Sequence, residues 1–299
     1  MALHPQALAS LEAQPSGPRN FEPGFDIEAT RTQARDVAAA EARPEVAEVR
    51  DLDADGVPVR LYRPRGRGHD APGVVVHLHG GGFVFGDVEV HDAAARRLAL
   101  ASTVPVLSVD YRRPPEHRFP AAPDDVDTVL RVLSRDAAEL GLEGPVTLHG
   151  DSAGGNLALV GTLRNPALVA GLVLVYPFLD PAAAWPSYAS ETAGFDAREA
   201  AWFWQQYAGS PEDLEHPDLA PLRSSRLGDL PPTLVVTAEH DPLRDEGEWL
   251  AARLAELGVR VQALRVLGML HGFWRHPAVF DAASLVTGVS AGFLKSLHL

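Results

Sequence analysis

Val146-Thr147-Leu148-His149-Gly150-Asp151-Ser152-Ala153-Gly154-Gly155 is the stretch on which the fold turns. A short apolar run, Val146 to Leu148, reads as a buried strand, and the residues from Ala153 to Leu163 read as a helix. Between them lies G-x-S-x-G, with Gly150 and Gly154 two positions either side of Ser152. A strand that turns at once into a helix leaves no room for side chains at those two positions. The strained turn lifts the serine hydroxyl clear of the sheet, as a nucleophile requires. Gly155 adds room for helix and strand to approach. The rival reading, a glycine-rich turn with a passive serine, is weakened by this strand-and-helix context.

The same alternation continues outward. Val74 to Leu78, Val104 to Val109, Leu172 to Tyr176, Thr233 to Val236 and Val259 to Val266 are short apolar runs of the kind that suits strands buried on both faces. Helical stretches lie between or after them, at His91–Ala101, Pro123–Leu140 and Glu246–Leu257. Strand alternating with helix predicts a mostly parallel sheet flanked by helices. Val46 to Asp51 and Val57 to Tyr62, separated by Ala54-Asp55-Gly56, predict a hairpin. An amphipathic helix is expected over Asp26–Arg43, and a loop over Pro64–Gly73.

Between Tyr176 and Thr233 the alternation breaks for more than fifty residues, in a region holding Trp185, Trp202, Phe203, Trp204 and Tyr207. An insertion of this length with its own aromatic helix near Arg198–Tyr207 reads as a cap, with a plain surface helical hairpin as the alternative. The expected division is an N-terminal cap segment (1–43), a core (44–176 and 230–299) and a cap insertion (177–229).

His79-Gly80-Gly81-Gly82 follows the run Val74 to Leu78. Acyl transfer builds negative charge on an oxygen, and backbone N–H groups aimed at it stabilise that charge without reorganisation. Glycines let the backbone come that close. The spacing of Gly80, Gly81, Gly82 and Gly86 fits neither G-x-G-x-x-G nor a Walker motif, and no lysine follows, which disfavours a phosphate loop. A serine nucleophile also needs a base, and an acid to orient that base, in the order Ser, Asp or Glu, His. Asp241 follows Thr233 to Val236, at the strand end where ligands bind in parallel sheets. His271 follows the last apolar run, with Gly268 and Gly272 beside it. Asp245 is the backup acid, placed where a helix should already have begun. His77, His91, His117, His149, His240 and His276 read as ordinary core or surface residues, His79 as a brace for its own loop, and no pair forms H-E-x-x-H.

Composition narrows the function further. The 299 residues carry 40 acidic and 26 basic side chains, a formal net charge of -14, so nucleic acid and anionic membrane are disfavoured partners. With no cysteine, disulfides, thiol catalysis and cysteine-bound zinc are excluded, and a reducing cytoplasm is the expected location. No run of about eighteen apolar residues occurs, and Met1–Ser16 lacks an apolar run of signal-peptide length.

With these residues assembled, the chain resembles the hormone-sensitive lipase family of esterases from about Pro44 onward. The resemblance rests on His79-Gly80-Gly81-Gly82-Phe83, Tyr111-Arg112 with Pro115-Glu116-His117-Arg118-Phe119-Pro120, Gly150-Asp151-Ser152-Ala153-Gly154-Gly155-Asn156, Asp241-Pro242-Leu243-Arg244-Asp245-Glu246-Gly247 and His271-Gly272-Phe273. It implies the α/β-hydrolase fold with a helical cap, and a serine carboxylesterase acting on short- to medium-chain esters through an acyl-enzyme. Ser152, Asp241 and His271 would be its triad, and the N–H groups of Gly81, Gly82 and Ala153 its oxyanion hole. Phe83 and Phe203 are the expected substrate-pocket residues. It implies a small-molecule ester as substrate, no cofactor and no metal, and a homodimer through the edge of the last strand. Amide or lactone hydrolysis on the same triad, and a ligand-binding receptor on the same fold, are the other readings. Two departures stand out: Arg113-Pro114 where relatives usually carry Leu-Ala, and a nucleophile helix cut short near Leu163-Arg164-Asn165-Pro166.

Overall fold

The computed structural model describes residues 2–13, 17–65 and 73–297. The expected hairpin comes first in the sheet. β1 (Glu48–Ala54) runs antiparallel to β2 (Val57–Arg63), across a turn where Asp55 (φ 51°) and Gly56 (φ 94°) both take the positive φ of a two-residue hairpin turn. Of the loop expected over Pro64–Gly73, residues 66–72 lie outside the described residues.

The apolar runs become β3 (Val74–Leu78), β4 (Val106–Val109), β5 (Val146–Asp151), β6 (Val169–Val175), β7 (Thr233–His240) and β8 (Val261–Leu270). The sheet order is β1-β2-β4-β3-β5-β6-β7-β8. β2 meets β4 antiparallel, and every pairing from β4 to β8 is parallel. All residues of β3 and β4 are buried, as continuous apolar runs demand. Alternate residues serve two cores: Val74, Val76 and Leu78 face one cluster, and Val75 faces the other.

Nine α-helices occur among the described residues. α1 (Pro5–Glu12) and α2 (Ile27–Ala39) precede the sheet, and the rest are α3 (Asp92–Ser102), α4 (Ala121–Leu140), α5 (Ala153–Arg164), α6 (Pro186–Ser190), α7 (Ala197–Tyr207), α8 (Arg244–Glu256) and α9 (Asp281–Leu297). α4, α5 and α8 bury their apolar sides in the first cluster, α3 and α9 in the second. α2 starts where Asp26 accepts a hydrogen bond from the Ala29 N–H (3.0 Å). It stops short of the expected Arg43, which precedes Pro44 and so disfavours helical backbone. α7 opens on a capping box between Asp196 and Glu199. α5 ends at Arg164, whose guanidinium binds Asp124, Asp127 and Asp218 at 2.8–2.9 Å and closes the shortened helix end.

Candidate active site

The turn between β5 and α5 has the geometry that its glycines foretell. Ser152 sits at φ 55°, ψ −121°, a conformation costly for a residue with a side chain and typical of functional turns. A Cβ on Gly150 would stand 2.0 Å from the Gly154 carbonyl oxygen, and one on Gly154 would stand 1.9 Å from that of Leu78. Neither position tolerates alanine. Backbone bonds hold the turn: the Ser152 N–H donates to Val175 (2.9 Å), and its carbonyl accepts from Phe178 (3.1 Å).

The loops after β7 and β8 bring the other two expected residues to this serine. Ser152 Oγ lies 2.9 Å from His271 Nε2, and His271 Nδ1 lies 2.7 Å from Asp241 Oδ2. Asp241 is fully buried, and its Oδ1 accepts the Leu243 N–H (2.8 Å). With Nδ1–H donating to the carboxylate, Nε2 is free to accept the serine proton. Two aromatic rings confine the imidazole, Phe195 from the aromatic insertion and Tyr176 from the end of β6. Phe195 stacks on it with centroids 5.0 Å apart, and Tyr176 meets it edge-on at 4.7 Å.

Asp245, the backup acid, serves a different purpose. Its carboxylate accepts from the Ser187 N–H (2.9 Å) and Arg244 Nε (2.9 Å), while Ser187 Oγ donates to the Pro242 carbonyl (2.6 Å). It thus ties the insertion to the loop that carries Asp241. Across the same region Glu239 accepts the Gly268 N–H (2.7 Å), linking the acid loop to the end of β8.

The glycine loop after β3 is folded back on itself. Gly81 (φ 124°) and Gly82 (φ 59°) occupy backbone space that suits glycine. The N–H groups of Val84 and Phe85 donate to the Gly81 carbonyl (3.1 and 2.8 Å), and the Gly80 N–H donates to Asp151 Oδ1 (2.9 Å). Among the described residues, nothing accepts from the N–H groups of Gly81, Gly82 or Ala153. Ala153 is the first residue of α5, where a free N–H is intrinsic to the helix. His79 braces the loop as expected. Its ring stacks on Tyr111 (4.2 Å, 15°), and the Tyr111 hydroxyl donates to the His79 carbonyl (2.7 Å). Burial first, then the neighbouring His91 and Arg113, push the His79 imidazole down to about 3, so it remains neutral. Arg113, one of the departures from the family pattern, donates to the Gly86 carbonyl and lies 3.8 Å from Asp87. The N-terminal helix α2 holds the same loop: Arg31 donates to the Val84 carbonyl (3.0 Å) and Arg35 to Asp87 (2.6 Å).

A cavity of about 350 Å³ opens in front of Ser152. Phe203 lines it, as expected, together with Phe85, Phe195 and Ala34 of α2. Phe83 does not. It was expected in the pocket, but its φ of 65° turns the ring beneath the loop, where it is fully buried and stacks on Tyr207 at 3.8 Å. Phe85, two residues on, takes the place at the cavity wall. A second cavity, of about 710 Å³, shares Phe85, Gly194, Glu199 and Phe203 with the first.

Comparison with known proteins agrees with this fold. The family described by the alpha/beta hydrolase fold matches residues 75–275. An ethyl acetate hydrolase of Pseudomonas putida is 36% identical over 243 residues, covering 77% of this chain and 76% of its own. A carboxylesterase of Mycobacterium tuberculosis is 36% identical over 300 residues, 94% and 93% of the two chains. The solved structure of a hyperthermophilic esterase from the archaeon Pyrobaculum calidifontis superposes with a TM-score of 0.89 at 36% identity, covering 99% of each chain. The chain therefore belongs to the α/β-hydrolase family, in its hormone-sensitive-lipase-like group of esterases.

Proposed function

We propose that this protein is a serine carboxylesterase that hydrolyses short- to medium-chain carboxylic esters through an acyl-enzyme. The observation that carries the mechanism is the hydrogen-bonded chain Ser152–His271–Asp241, at 2.9 and 2.7 Å, set beside three backbone N–H groups with no described acceptor. Ser152 Oγ attacks the ester carbonyl while His271 Nε2 takes its proton. The developing oxyanion is met by the N–H groups of Gly81, Gly82 and Ala153. Asp241 keeps His271 in the required tautomer and stabilises its charged form. His271 then returns the proton to the departing alcohol, and a water activated by the same nitrogen releases the acid. None of these steps needs a cofactor.

The cap belongs to the same reading. Residues 1–43 and 177–229 would cover the core (44–176 and 230–299), a division supported by the cavity wall, which draws Ala34 from the first segment and Phe195 and Phe203 from the second. No helix among the described residues is long and apolar enough to cross a membrane. A cysteine-free chain supports a cytoplasmic location, and β8, the last strand in the sheet order, supports a homodimer through its outer edge. The test is hydrolysis of p-nitrophenyl esters of increasing acyl length by the wild type and by Ser152→Ala. The wild type should turn over the short esters, and the folded variant should lose that activity entirely. Retained turnover in the variant would defeat the mechanism.

A further inference from the structure

The wall of the catalytic cavity is not uniformly apolar. Besides its aromatic residues Phe85, Phe195 and Phe203, the cavity is lined by His91, Asp151, Arg275 and His276. Arg275 follows closely on the catalytic histidine, at the end of the short turn Phe273–Arg275. Its NH1 donates to the Val90 carbonyl (3.1 Å), and Val90 itself lines the cavity. Among the described residues no carboxylate lies within ion-pair distance of this guanidinium. Arg275 is only half-buried, yet in a chain of net charge -14 its charge is left without an anion.

The groups around it do not supply that anion. Asp151 is the one carboxylate on the same wall, and its Oδ1 already accepts the Gly80 N–H and faces His91 Nε2 at 3.8 Å. Glu199, across the cavity, is paired with Arg19. Glu41, behind Arg275, is paired with Arg97 (2.8 Å), and Arg97 itself donates to the Arg275 carbonyl (3.0 Å). His91 is 4% exposed, and its Nδ1 has no hydrogen-bond partner. His276 is pushed down to about 4 by burial and then by Arg275, His91 and Arg97, so it is a neutral hydrogen-bonding group near pH 7.

We propose that this polar part of the cavity wall, built on Arg275, binds a carboxylate carried by the ester substrate. The inference rests on the esterase reading and narrows it to a substrate class: esters bearing a second, free carboxylate a few atoms from the scissile carbonyl. Arg275 gives the anion a charged, directional donor within the cavity wall. The carboxylate can arrive on either side of the ester bond, as the hemiester of a dicarboxylic acid or as the acyl ester of a hydroxy acid.

The experiment compares charged and neutral isosteres. Monoethyl glutarate is set against the ethyl ester of glutaramic acid, and 3-acetoxypropanoate against 3-acetoxypropanamide, with p-nitrophenyl acetate as a control for esterase activity. For at least one pair, kcat/KM of the wild type should favour the carboxylate by about ten- to hundredfold, the worth of a hydrogen bond to a charged group; which pair does so tells which side carries it. Arg275→Gln should bring that ratio close to one, and Arg275→Lys should keep part of it. Raising the ionic strength should lower the wild-type ratio, a measurement that needs no variant. A wild-type ratio at or below one for both pairs, or a ratio that Arg275→Gln leaves intact, would overturn the inference while p-nitrophenyl acetate hydrolysis leaves the esterase reading standing. A wild type that fails to hydrolyse p-nitrophenyl acetate would overturn both.

Discussion

Phe195 lies flat over the imidazole of His271, with ring centroids 5.0 Å apart and planes inclined at 28°. The contact joins the insertion between β6 and β7 to the base carried by the loop after β8. It limits the tilt of a ring whose two nitrogens must face Ser152 and Asp241 at once. An aromatic pair of this kind contributes about 0.5–1.5 kcal/mol. Phe195→Ala is therefore expected to lower kcat on p-nitrophenyl acetate by roughly two- to tenfold, since 1.4 kcal/mol is a factor of ten. Steady-state kinetics on the purified variant measures this, and an unchanged kcat would show that Asp241, Ser152 and Tyr176 hold the ring without it.

Asp241 and Asp245 should separate cleanly. Asp241→Asn removes the acceptor that fixes the tautomer of His271, and kcat is expected to fall by roughly 10⁴, as the same change does in a serine-protease triad. Asp245→Asn weakens the tie to Ser187 and Arg244. Its cost should fall on stability, about 1–2 kcal/mol, with kcat changed little. Denaturant melts and kinetics on both variants decide the assignment; a reversal would make Asp245 the acid.

His79, His149 and His276 contribute to the acid limit of the fold. Burial, as the leading cause, pushes His79 down to about 3 and His149 and His276 each to about 4, from an ordinary value of 6.5. Each therefore takes up a proton more readily unfolded than folded. The stability they permit is complete above about pH 6.5 and is lost as pH falls toward 4, at about 1.4 kcal/mol per unit per histidine. The melting temperature should be nearly flat above pH 7 and lower by roughly 10 °C or more at pH 5. His149→Leu should soften that slope. A melting temperature that holds constant from pH 7 to pH 5 would contradict this account.

Phe203 stands between the two cavities, close enough to the glycine loop that a Cβ on Gly82 would be 2.1 Å from its ring. In the wild type, kcat/KM should rise with acyl length while each CH₂ finds room, at about 0.8 kcal/mol apiece, and then drop. Phe203→Ala opens the catalytic cavity toward its larger neighbour, so the drop should move to longer chains. Kinetics across a series of p-nitrophenyl esters, with the melting temperature of the same variant, would reveal the alternative: a lower melting temperature with an unmoved length profile means that Phe203 only packs the insertion.

Much of this site was legible because its parts sit at strand ends. Ser152, Asp241 and His271 each follow an apolar run, and parallel strands bring their C-terminal ends to one edge however far apart they lie in the chain. The glycines around Ser152 declared the turn locally. Phe83 was misread because one positive φ reverses the side on which a side chain falls, and nothing in Gly82-Phe83-Val84-Phe85 announces which residue takes it. Phe195 stands out in the sequence only as one of the insertion's aromatics, and Tyr176 only as a strand end, because what they do to His271 is a contact across the fold with no periodicity or motif of its own. α1 and α9 were also missed. α1 is a short helix held at its start by the His4 N–H donating to the Gly268 carbonyl (3.0 Å), a partner far away in sequence. α9, rich in Ala, Ser and Gly, offers only a diffuse apolar stripe that becomes meaningful once α3 packs beside it.

In the proposed mechanism Ser152 is the nucleophile, activated by His271 and faced by the N–H groups of Gly81, Gly82 and Ala153. The most direct measurement is to treat the protein with a fluorophosphonate and locate the adduct by peptide mass spectrometry. The account predicts one stoichiometric adduct, on Ser152, absent from folded Ser152→Ala and formed far more slowly in His271→Ala. An adduct on another residue, or labelling that persists in folded Ser152→Ala, would contradict it.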